Sequence, residues 1–212
     1  MKDNTAQVEQ RVKRYWYTDG IGELLGGGLF VILALYFAAQ QYVGDDSPVD
    51  GLLQAAFVAI VIGTVFLGRK LIHFLKAQIT YPRTGYVEYR MDKSKAVLMR
   101  VLAVLVGMGV AMSAVFIAQS LQTIDAMVAI TGVLVALIFL IKQGWSFGVP
   151  RFYFFSLLSL ALGGILSVSG FLEGYNLGLF YALMGLTLTI SGGLVLKRYL
   201  NENPLPSGAD NV

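Results

Sequence analysis

The sequence predicts an all-α membrane protein with six transmembrane helices arranged as three antiparallel hairpins. Six apolar runs of roughly 18 to 25 residues are each long enough to cross ~30 Å of hydrocarbon as a helix. Of the 212 residues, 56% are hydrophobic and only 14% are charged, and the mean hydropathy is +0.67. A soluble chain of this length would carry charged residues on the outer face of each helix, whereas the long apolar runs of this sequence are almost free of them.

The apolar runs define one transmembrane domain, residues 21–200, between two polar ends. Residues 1–20 form a cytoplasmic arm, and residues 201–212, with two prolines, form a disordered cytoplasmic tail. Short connections after spans one, three and five make consecutive spans antiparallel neighbours. The predicted spans cover approximately 21–42, 52–72, 97–120, 124–142, 152–172 and 177–198.

The charges between the spans predict the orientation. All sixteen Lys and Arg residues lie in the N-terminal arm, the second and fourth connections, the C-terminal tail, or the span ends beside them. Basic residues favour the cytoplasmic side of short loops, so both termini are expected inside the cell membrane. The other connections carry only acidic charges: Asp45, Asp46, Asp50, Asp125 and Glu173.

The one long connection, residues 73–95, is expected on the cytoplasmic side. Its first part extends span two as a helix lying along the lipid head groups, with Lys70 and Lys76 on the polar face. Pro82 disfavours helical geometry at Tyr81, the residue before it. A turn is therefore expected after the extended helix.

Small residues recur at steps of three and four, which predicts close helix packing. In span five they are Ser156, Ser159, Gly163, Ser167 and Gly170. In span six they are Gly178, Ala182, Gly185, Thr189 and Gly192. A second interpretation is a narrow polar path lined by Ser and Thr. Span three has a similar face of Ala103, Gly107, Ala111, Ala114 and Ala118.

The sequence contains no recognisable catalytic, cofactor-binding or metal-binding motif. There is no Cys, His73 is the single histidine, and no nucleotide-binding glycine motif follows a strand. No charged side chain lies near the midpoint of a span, where such groups usually mark ion paths. The net charge of +3 lies beside the spans. Anionic lipid head groups are therefore the expected partner, and nucleic acid is not.

Chemically diverse residues are concentrated on the cytoplasmic side and form the candidate interaction surface. Its members are Arg14, Trp16, Asp19, Glu23, Tyr81, Arg83, Tyr86, Glu88 and Arg90. Three interpretations remain open: a salt-bridged structural cap, a docking surface for a protein partner through residues 79–95, or a site for a lipid head group or small anion. In the cap, Arg83 and Arg90 would pair with Asp19, Glu23 or Glu88.

Three tracts resemble those of a group of small six-span prokaryotic membrane proteins with no assigned activity. They are RYWYTDG (14–20), ITYPRTGYVEYR (79–90) and the ending GGLVLKRYLNENP. The resemblance implies the same six-span architecture, and it brings no activity, cofactor or catalytic residue.

Three functions of different classes fit these observations. The first is a non-enzymatic membrane component that docks or regulates a partner through its cytoplasmic face. The second is a small transporter or facilitator, and the third is a lipid-modifying enzyme with acids drawn from Asp19, Glu23 and Glu88. The spans have an apolar interior, and the charged and aromatic side chains are concentrated on the cytoplasmic face. This distribution favours the non-enzymatic docking component.

Overall fold

The computed structural model describes residues 18–43, 47–84, 124–140, 149–169 and 174–205, and these residues form helices without any strand. The predicted third span, residues 97–120, lies outside them. The helices are α1 (Ile21–Val43), α2 (Asp50–Ile79), α3 (Tyr81–Thr84), α4 (Ile124–Leu137), α5 (Arg151–Ser169) and α6 (Asn176–Glu202).

Four of the described helices are long and apolar enough to cross a membrane. They are α1, the Asp50–Gly68 part of α2, α5 and α6, while the apolar segment Ala126–Leu140 around α4 is shorter. Their positions agree with the spans predicted at 21–42, 52–72, 152–172 and 177–198. The all-helical, membrane-type architecture is therefore confirmed.

Helix α2 is longer than its predicted span. Its thirty residues reach Ile79, a length of ~45 Å against ~30 Å of hydrocarbon. The first residues of the predicted connection 73–95 therefore continue this helix. The expectation at Tyr81 is wrong, because α3 begins there: the amides of Arg83 and Thr84 both donate to the carbonyl oxygen of Thr80 at 3.1 Å. Pro82 lies in the first turn, where no amide donor is needed.

The most extensive packing joins α1 and α6, which run antiparallel. Three small residues of α6, at seven-residue intervals, face α1. A Cβ atom on Gly192 would lie 2.6 Å from the amide nitrogen of Leu24, and one on Gly185 would lie 2.9 Å from that of Val31. A Cβ on Gly178 would lie 3.5 Å from the carbonyl oxygen of Ala34. Glycine thus allows the two backbones to approach closely.

A second antiparallel pair is formed by α4 and α5. A Cβ atom on Gly132 would lie 2.7 Å from the Cα of Gly163. Beside this contact, Ser156 Oγ donates to the carbonyl oxygen of Ala136 at 3.0 Å, and Ser159 Oγ donates to that of Gly132 at 2.8 Å. The small face of α5 therefore packs on α4, and that of α6 packs on α1. The hairpin neighbours α1–α2 and α5–α6 also touch, but less extensively.

Buried aromatic and aliphatic side chains of α6 fill the space between the two pairs. Phe180 and Met184 are fully buried and pack with Val128 of α4 and Leu166 of α5. A second cluster contains Val149, Phe152, Phe155 and Leu188. This apolar core holds α6 at the centre of the described bundle.

Candidate functional site at the charged end of the bundle

The buried charged side chains of the described residues, Asp19, Glu23 and Lys76, lie at one end of the bundle. This end is called here the charged end and is defined by these three residues and Arg151, which is partly exposed. Because α1 runs antiparallel to both α2 and α6, the start of α1 meets the ends of those two helices. The start of α5 joins them through Arg151. Four helix termini therefore meet where these charges lie.

Asp19 is the most enclosed of these groups. One carboxylate oxygen, Oδ2, accepts a hydrogen bond from Lys76 Nζ at 2.6 Å and another from Thr80 Oγ1 at 3.0 Å. The other, Oδ1, accepts from the amide of Ile21 at 3.2 Å. The side chains of Lys76 and Asp19 are 3% and 0% exposed. Three donors offset the desolvation of this carboxylate, which ties the end of α2 to the start of α1.

Gly20 provides the turn that connects Asp19 to the start of α1. Its φ of +72° lies in the left-handed region, which glycine adopts without steric cost. A Cβ atom there would also lie 2.5 Å from the carbonyl oxygen of Gly192 on α6. Both the turn and the close approach of the helices require glycine at this position.

Glu23 forms a second buried ion pair, four residues further along. Its Oε1 lies 2.5 Å from Arg151 Nε, and its Oε2 accepts a hydrogen bond from Ser191 Oγ at 3.0 Å. The Glu23 side chain is 2% exposed, whereas that of Arg151 is 28% exposed. The guanidinium also lies 5.5 Å from the centre of the Phe152 ring. Glu23 therefore links α1, α5 and α6.

A neutral contact lies next to the two ion pairs. Thr84 Oγ1 and Tyr199 Oη are 2.8 Å apart, which joins α3 to the end of α6. Thr84 also donates to the carbonyl oxygen of Thr80, whose hydroxyl bonds to Asp19. The hydrogen bonds thus run from α1 through α2 and α3 to α6.

The sequence-predicted surface residues fall into three groups. Asp19 and Glu23 are buried and ion-paired, and Tyr81 and Arg83 are partly buried on α3. The remaining five, Arg14, Trp16, Tyr86, Glu88 and Arg90, lie outside the described residues. The structure thus brings Asp19 and Glu23 to one end together with α3, and it places the two acids below the surface.

The described partners of the two acids differ from those expected. Asp19 pairs with Lys76 and Glu23 with Arg151, not with Arg83. The Arg83 side chain turns back along its own helix, and its Nη1 donates to the carbonyl oxygen of Ile79 at 2.8 Å. Lys76 was expected on the polar, solvated face of α2, yet it is buried. Sequence reasoning also missed Thr80, Ser191, Thr84 and Tyr199, for which no local signal exists.

Among the described residues, no group of three or more His, Asp or Glu side chains could hold a metal ion. His73 is exposed on α2. The charged end therefore combines ion pairs in its interior with an outer surface formed by α3.

The fold and the charged end define a helical bundle of the membrane-protein class. The chain matches no protein-family model, no curated protein and no solved structure.

Proposed function

We propose that this chain is a six-span protein of the cell membrane, with both termini in the cytoplasm, and that it docks a protein partner through its charged end without catalysing a reaction. The six spans would comprise the four long described helices, the α4 segment and the apolar run 97–120.

The distribution of charge along the described helices supports this orientation. The basic residues Lys76, Arg151 and Lys197 lie at or near the helix termini of the charged end, while at the opposite end α2 begins with Asp50. Basic residues favour the cytoplasmic side. The charged end would therefore face the cytoplasm.

The observation that carries the docking proposal is the pairing of both buried acids. A general acid or base must reach its substrate, but the carboxylates of Asp19 and Glu23 are 0% and 2% exposed and already bonded to basic partners. Their role is to hold α1, α2, α5 and α6 in fixed relative positions. A surface held in place in this way loses little conformational entropy when a partner binds.

The hydroxyl groups of the described helices favour docking over transport. Ser156 and Ser159 donate to carbonyl oxygens of α4, and Thr64, Thr131 and Thr187 donate to carbonyl oxygens of their own helices. These bonds are those of packed membrane helices. They support the packing interpretation of the small residues, because these hydroxyl groups donate their hydrogen bonds to backbone carbonyl oxygens.

Photo-cross-linking in native membranes tests the proposal. A photoreactive amino acid replaces the exposed Pro82 at the charged end or, as the control, Tyr42, which is 86% exposed at the opposite end. We expect one discrete protein adduct from position 82 and none of that mass from position 42. Arg83→Ala should reduce the adduct, and the matched Arg198→Ala, at an 81% exposed site, should not. Equal adducts from positions 82 and 42, or equal effects of both arginine variants, would rule out docking through α3.

A further inference from the structure

We draw no further inference here: the strongest candidate, the apolar groove between α1 and α2 whose walls include Gly26, Gly28, Gly63 and Gly68, carries nothing because no contact among the described residues shows what covers it.

Discussion

Lys76 Nζ lies 2.6 Å from Asp19 Oδ2, and this buried ion pair joins the end of α2 to the start of α1 across 57 residues of sequence. It matters because α2 has little other anchorage among the described residues: none of its most apolar stretch within Asp50–Gly68 is buried. The pair and the neighbouring Thr80 hydroxyl therefore fix the charged end of a helix that also meets α1 through ring contacts of Phe57 with Tyr36 and Phe37.

A double-mutant cycle on this pair should show strong coupling. Asp19→Asn or Lys76→Met alone leaves a buried charge without its partner, which costs about 3 kcal/mol or more. The double variant removes both charges and should lose less stability than the sum of the single variants. Unfolding in detergent, followed by loss of the monodisperse species on heating, gives the comparison. Additive losses would mean that the two charges do not depend on each other.

The second pair should respond unequally to loss of its two members. Arg151→Met leaves the Glu23 carboxylate, which is 2% exposed, without its cation. Glu23→Gln leaves a guanidinium that is 28% exposed and can regain water. Arg151→Met should therefore lower the melting temperature more than Glu23→Gln does. The reverse order, measured under the same detergent conditions, would argue against burial as the source of the difference.

Close packing of α1 and α6 predicts a steric penalty at Gly185. A side chain there would place its Cβ 2.9 Å from the amide nitrogen of Val31, whereas a Cβ on Gly193 would meet nothing within 4 Å. Gly185→Leu should lower the free energy of unfolding by ~1–3 kcal/mol, and the melting temperature by about 5 °C, because neither helix backbone can move easily to make room. Gly193→Leu is the matched control on the same helix. Similar melting temperatures for the two variants would contradict the contact.

The α4–α5 contact offers a comparable test with neighbouring glycines. Gly163 faces Gly132 with a Cβ-to-Cα distance of 2.9 Å, but Gly164 faces open space. Gly163→Leu should reduce the folded yield in detergent, and Gly164→Leu should leave it close to that of the parent chain. If both variants are recovered equally well, α5 does not pack on α4 through this face.

The helices themselves could be predicted from the sequence because their apolar runs are long and bounded by charges or prolines. The predicted span 21–42 agrees with Ile21–Val43, and 177–198 falls within Asn176–Glu202. The extension of span two as a helix beyond residue 72 is confirmed, but the predicted polar face implies an exposed Lys76, and Lys76 is buried. The burial of Lys76 depends on Asp19, a residue that no local pattern connects to it.

The choice of helix partners could not be derived from the hairpin argument. The predicted hairpins pair span one with span two and span five with span six, yet the most extensive packing of the described helices joins α1 to α6 and α4 to α5. The seven-residue spacing of Gly178, Gly185 and Gly192 was visible, as was that of Gly20, Gly27 and Ala34. Matching one series to the other requires three-dimensional information, because several spans carry small residues.

The most direct test of this account is the side of the membrane on which the charged end lies. The chain has no native Cys, so single Cys residues can be introduced at the exposed positions Pro82 and Lys197 of the charged end and Tyr42 and Val49 of the opposite end. In intact cells, a membrane-impermeant maleimide should label Cys at 42 and 49 and should label Cys at 82 and 197 only after permeabilisation. Labelling of positions 82 and 197 in intact cells, with 42 and 49 protected, would contradict the orientation and with it the proposed cytoplasmic docking surface.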